Sequence, residues 1–197
     1  MRPLLMLLIV VGLAPVEWAG AEDQPLVPQA GSSFRVAAGL VVEPVAMSPL
    51  VEYPIVADFD RRGRLYVAES AGPIGDLAKQ QAAPPHRVVR LEDGDGDGVF
   101  DKRVVFAEGL MLPEGVLCLD DNTVLVSAVP QIWKLQDTDD DGRADRREVW
   151  FDGGTLTGCG NDLHGPYRGP DGWIYWCKGA FAEQSPERLD GSRRTSR

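Results

Sequence analysis

Val88-Val-Arg-Leu-Glu-Asp-Gly-Asp-Gly-Asp-Gly-Val-Phe-Asp-Lys-Arg-Val-Val-Phe106 places an acidic turn between two short runs rich in β-branched residues. Runs of this length, bounded by Asp and Gly, read as two strands joined by a hairpin. The connecting residues, Asp93 to Asp101, have the form D-x-D-x-D-G-x-x-D. The pattern returns 44 residues later as Asp137-Thr-Asp-Asp-Asp-Gly-Arg-Ala-Asp145, again between strand-like runs, Ile132–Leu135 and Val149–Phe151. A fixed spacing of this size marks a repeat architecture, and strands in every unit point to a β-propeller.

A second submotif alternates with the first. Pro54 to Ala68 reads as strand, polar turn, strand. Its echoes are Pro113 to Ala128, with Asp120-Asp-Asn122 at the turn, and Pro166 to Cys177, with Pro170-Asp-Gly172. Asp, Asn and Gly supply the positive φ that such turns need. Together the two submotifs give four strands per repeat, the composition of a propeller blade. The expected fold is all-β, a partial propeller of about two to three four-stranded blades over residues 34–184, with two calcium-binding hairpin loops. Closed propellers have about 4–8 blades, so the chain is expected to be an incomplete propeller or part of a longer one. Nothing after the leader shows a sustained helical period, and Ala71 to His86 reads as a long inter-strand loop.

Residues 1–21 read as a signal peptide. Arg2 is its positive end, Leu4 to Ala14 its apolar run, and Ala19-Gly-Ala21 its small-x-small cleavage site. The run is too short to span a bilayer, so an exported protein, periplasmic or extracellular, is expected. Residues 22–33 read as a linker and 185–197 as a disordered or truncated tail. The net charge is −10, concentrated in the two acidic loops. That balance argues against nucleic acid as a partner.

Alternating carboxylates closed by a glycine are what a tight Ca²⁺ loop requires. Asp93, Asp95, Asp97 and Asp101 would ligate in the first loop with the Val99 carbonyl. Asp137, Asp139, Asp141 and Asp145 would do so in the second with the Arg143 carbonyl. Gly98 and Gly142 fall where the backbone must turn sharply. Strands flank both loops, and position 12 is Val104 in one and Glu148 in the other, so these are strand-loop-strand hairpins rather than EF-hands. The alternative is an acidic solvated turn, in which four like charges would crowd nine residues without a cation.

Three cysteines follow the leader. Cys118, in an apolar run, reads as a core residue; Cys159 and Cys177 could pair or remain two buried thiols. There are two histidines, His86 and His164. His164 could act as a general base, with Asn161, Asp162 and Arg168 orienting it or binding an anionic group. It could equally be a loop histidine capping a strand end.

Three pieces, taken in order and with the acidic loops, carry a resemblance: Phe34-Arg-Val-Ala-Ala-Gly39, Asp58-Phe-Asp-Arg-Arg-Gly-Arg-Leu-Tyr-Val-Ala-Glu69 and Gly169-Pro-Asp-Gly-Trp-Ile-Tyr175. They resemble the glucose/sorbosone dehydrogenase-like propellers, especially the exported bacterial proteins labelled membrane-bound dehydrogenases, which often carry a C-terminal cytochrome c domain. The resemblance implies Ca²⁺ and pyrroloquinoline quinone as cofactors and a sugar or polyol as substrate. It implies His164 as the base, with Asn161, Asp162 and Arg168 at the cofactor and basic residues of later blades holding the quinone. The remaining blades or a cytochrome c domain would be its partners. The rival reading is a non-catalytic propeller that binds carbohydrate or a protein partner. The enzyme reading needs His164 among convergent polar groups.

Overall fold

The computed structural model describes the backbone of Leu8–Ile9, Leu26–Gln29 and Ser32–Arg35, and residues 40–71, 76–157 and 161–179 in full. In chain order β1 is Leu8–Ile9, β2 Leu26–Gln29, β3 Ser32–Arg35 and β4 Glu43–Pro44. β5 Pro54–Phe59, β6 Leu65–Glu69, β7 His86–Glu92 and β8 Lys102–Leu110 form one antiparallel four-stranded meander. β9 Pro113–Cys118, β10 Thr123–Ala128, β11 Gln131–Gln136 and β12 Arg146–Asp152 form a second. β13 Leu163–Arg168 and β14 Ile174–Lys178 make a hairpin. β9 lies beside both β5 and β13, so the first strands of the three units are neighbours. This all-β arrangement is consistent with consecutive blades of a partial propeller.

Both sheets are covered on both faces, which is why their middle strands read as unbroken apolar runs. Side chains alternate across a strand with period 2. On β6 and β7, Leu65, Val67, Val89 and Leu91 face one way and pack on Ala46, Leu50, Val51 and Phe100. Tyr66, Ala68 and Val88 face the other way and meet Val116, Val124, Val126 and Leu135 of the second sheet. Phe106 joins this layer edge-on to Tyr66, with ring centroids 4.9 Å apart. On the far side of the second sheet, Leu117, Leu125 and Ile132 pack on Leu163, Ile174 and Trp176. Leu91, Phe106 and Leu135 are fully buried, as core positions at the loop ends should be, and Phe151 is half-buried against Trp176.

Buried polar groups tie the strands together. Glu69, at the end of β6, has no exposed surface. It accepts from Arg87 Nε at 2.6 Å, Arg103 Nη2 at 3.0 Å and the Glu52 amide at 2.9 Å. The Glu of the Val-Ala-Glu piece is thus structural: two guanidinium groups compensate its carboxylate, which burial would otherwise penalise.

Three sequence expectations change. The stretch read as a linker contains a backbone hairpin, β2 paired with β3. The loop after β6 contains a one-turn helix, α1, Leu77–Ala82, capped by the Asp76 side chain on the amides of Ala78 and Lys79. A helix this short has no amphipathic period to read, and its cap is the only local signal. Cys118 is buried as expected, but Cys177 is exposed, so it is not a buried thiol. Cys159, the segment read as a signal peptide apart from Leu8–Ile9, and the segment read as a tail lie outside the described residues.

His86 links α1 to the sheet. Its Nδ1 accepts from the Ala71 amide at 2.9 Å, so Nε2 carries the proton and donates to Gln80 Oε1 at 3.0 Å. Burial lowers its pKa from the ordinary 6.5. The unfolded chain therefore takes up the proton first, and this contribution to stability is full above about pH 6.5 and lost as pH falls through the depressed folded value. The melting temperature should fall between pH 7 and about pH 5, and His86→Gln should flatten that fall. Phe106→Ala should cost about 3–5 kcal/mol in denaturant unfolding, against less than about 0.5 kcal/mol for a change at an isolated exposed position.

Candidate functional site

The two acidic loops join β7 to β8 and β11 to β12. They share one backbone scaffold. The first carboxylate caps the amide of the sixth residue: Gly98 N donates to Asp93 and Gly142 N to Asp137, both at 2.8 Å. The fifth caps the seventh: Val99 N donates to Asp97 and Arg143 N to Asp141, again at 2.8 Å. The sixth residue has φ of +91° in Gly98 and +93° in Gly142, a conformation that favours glycine. The eighth residue docks on a preceding segment: Phe100 N donates to Val45 O and Ala144 N to Phe106 O, each at 2.8 Å.

This scaffold gathers oxygens. Asp93, Asp95 and Asp97 each bring a carboxylate oxygen within 4.8 Å of the others, and so do Asp137, Asp139 and Asp141. The ninth carboxylates do a different job. Asp101 accepts from the Gly94 amide at 2.8 Å, and Asp145 accepts from the Thr138 amide at 3.2 Å and from its hydroxyl, so both close the loop on itself. The Gly98 and Gly96 amides hold Asp93 below its ordinary pKa, and the Thr138 hydroxyl does the same for Asp145.

The loops differ in their surroundings. Asp137 is 1% exposed and meets Arg90 of β7 at 3.3 Å. Arg90 also pairs with Glu92 at 2.8 Å and lies against Gly142, where a Cβ would come within 2.7 Å of its Nη2. Asp140 has φ of +61°, in the fourth position, where the first loop has Gly96 at +78°. Its side chain pairs with Arg62 at 3.0 Å and Arg64 at 3.3 Å, which hold it below its ordinary pKa. Arg64 is bound in turn by Asp60 at 2.6 Å and by the Asp121 carbonyl. The second loop is therefore clasped to the first sheet by three arginines, and the first loop is not.

The histidine lies at the other end of the strands. His164 is the second residue of β13, beside the start of β9. A Cβ on Gly115 would fall 1.5 Å from the Gly165 carbonyl oxygen, so β9 and β13 touch backbone to backbone. That contact sets His164 Nδ1 3.2 Å from Glu114 Oε2. Burial raises the pKa of Glu114, His164 lowers it and Asp162 raises it, so Asp162 shares this neighbourhood. Asp162 is buried and accepts from the Thr157 amide at 2.5 Å and hydroxyl at 2.6 Å. Asn161 is exposed just ahead of it.

The remaining predicted partner is elsewhere. Arg168 closes β13, donates to the Leu119 carbonyl at 3.3 Å and lines an open cleft of about 340 Å³ with Asp60, Arg61 and Asp120. Six strand residues at about 3.3 Å each separate the two ends of β13. Glu114 was missed by the sequence reading; a lone Glu near a proline carries no spacing signal, and only the adjacency of β9 and β13 brings it to the histidine.

The clasp predicts a sharp asymmetry. Arg90→Leu leaves Asp137 buried without its cation and should cost about 3–5 kcal/mol. Arg62→Ala, at an exposed and solvent-screened pair, should leave the unfolding midpoint nearly unchanged. Comparable losses from both variants in denaturant unfolding would contradict the burial argument.

No curated protein and no solved structure matches the chain. One family model matches residues 27–196, and the chain belongs to that family, described as Domain of unknown function (DUF7133).

Proposed function

We propose that the chain is an exported, calcium-binding β-propeller module whose ions are structural and whose histidine-bearing end binds a neutral sugar or polyol. The observation that carries the metal half is the convergence of three carboxylates in each loop around the same capped sixth and seventh amides. Hard oxygen donors in a loop of this kind suit Ca²⁺; Mg²⁺ keeps more water and takes fewer carboxylates. Asp93, Asp95 and Asp97 would hold one ion and Asp137, Asp139 and Asp141 the other, with the Val99 and Arg143 carbonyls as further donors. Each ion would offset the mutual repulsion of the carboxylates and tighten its hairpin.

The resemblance also implies pyrroloquinoline quinone, a tricarboxylate. The described groups beside His164 are the carboxylates of Glu114 and Asp162, and Arg168 stands at the far end of β13. An acidic neighbourhood repels such a cofactor, so the described residues do not fit it. It does suit a neutral polyhydroxyl ligand, with the partly exposed His164 as the acceptor for a hydroxyl. A second reading, docking of a further sheet or a protein partner, is favoured by the open face of the last hairpin, where Tyr167 is 58%, Trp173 65% and Tyr175 52% exposed.

With a dissociation constant of about 10⁻⁴ M, typical of extracellular modules, millimolar Ca²⁺ would stabilise each site by about 1.4 kcal/mol. Two sites should raise the melting temperature of the mature chain by roughly 5–10 °C over its value in chelator. Asp95→Ala and Asp139→Ala should each remove about half of that gain. A melting temperature indifferent to Ca²⁺ would overturn the metal assignment.

A further inference from the structure

We infer that Glu114 is the positioning residue of His164, fixing the imidazole with its proton on Nδ1 so that Nε2 is the free acceptor for a ligand hydroxyl. The hydroxyl-ligand clause rests on the sugar-binding reading above; the positioning does not.

The contact is built by the backbone. Gly115 and Gly165 let β9 and β13 touch, and the residues just before each glycine, Glu114 and His164, then face one another at 3.2 Å. Glu114 Oε2 is buried and has no hydrogen-bond partner among the described residues, and the His164 Nδ1 at 3.2 Å is the group placed to serve it. A carboxylate only accepts, and a neutral imidazole has a single N–H. The buried oxygen is therefore served only if that N–H is on Nδ1, and an unserved buried acceptor is penalised. Nε2 is then the ring's only acceptor. The ring keeps 37% of its side-chain surface exposed, which leaves room for a ligand to approach.

The surrounding groups set the class of ligand. Asp162 adds a second carboxylate just ahead of β13, and on β14 the cross-strand partner of His164 is the exposed Cys177. The guanidinium of Arg168 is at the opposite end of the strand, bonded to Leu119. Two carboxylates stand here against Lys178, the cross-strand partner of Leu163, and that balance favours neutral hydroxyl compounds over carboxylates and phosphates.

The test uses the imidazole ¹⁵N shifts of the labelled mature chain at a pH where both rings are neutral. There are only two histidines, and His86 serves as an internal reference of the opposite tautomer, since its Nδ1 accepts from Ala71. His164 should carry its proton on Nδ1. Glu114→Gln, which keeps an acceptor oxygen, should preserve that tautomer, and Glu114→Ala should move it to Nε2. Unchanged His86 signals report that the variants remain folded. In parallel titrations, glucose or sorbitol should bind and gluconate should not, and Glu114→Ala should weaken binding about tenfold. A wild-type His164 protonated on Nε2, or a tautomer indifferent to Glu114→Ala, overturns the positioning. The expected tautomer with no binding of glucose or sorbitol leaves the positioning standing and removes the sugar reading.

Discussion

The carboxylate of Asp137 joins the loop, the sheet interface and the proposed ion. It caps the amide that lets Gly142 turn, it holds Arg90 of the neighbouring sheet, and it stands among the oxygens of the second acidic cluster. Buried as it is, it must be compensated, and the Arg90 guanidinium does so even without a metal. The consequence reaches outward. Arg90 is fixed over Gly142, Asp140 is turned out toward Arg62 and Arg64, and Arg64 reaches the turn after β9 through the Asp121 carbonyl. The packing of one sheet on the next thus depends on a loop whose sequence looks, in isolation, like a surface turn.

The two loops show how one motif can hold two environments. The bonds to the sixth and seventh amides are the same in both loops, and the φ angles at the sixth position agree within 2°. What differs is the fourth residue. Gly96 leaves the first loop open, whereas Asp140 adds a charge that only arginines from the preceding sheet can balance. The first loop docks on the segment around Val45, as the second docks on Phe106. That segment covers the first sheet as the first sheet covers the second, so the repeat of the packing extends beyond the two complete meanders.

Much of this was legible in the sequence because it is local. Strands bounded by Asp and Gly, turns with positive φ, and carboxylates at alternate positions are all decided within a few residues. The convergence of Asp93 with Asp95 and Asp97 followed from spacing alone. The use of Asp101 and Asp145 did not, since whether a ninth carboxylate meets an ion or its own loop's amide depends on how tightly the turn closes. The arginine clasp and the Glu114–His164 contact were invisible for another reason. Their partners are 47 to 78 residues apart in the chain and meet only because successive first strands lie side by side. The same topology separates Arg168 from His164: both are on β13, but toward opposite ends, and four residues of extended strand undo what proximity in sequence suggested.

The separation also divides the roles. The acidic loops and the turn between β5 and β6 that carries Arg62 and Arg64 lie at one end of the strands, and His164 with Glu114 at the other, so ions in the loops would brace the fold and leave the histidine to a ligand. The claim on which this account turns is that each loop takes one cation. Native mass spectrometry of the mature chain in volatile buffer with added calcium tests it most directly. The account predicts two bound ions per chain and one in Asp93→Asn; a chain that carries none under these conditions would contradict it.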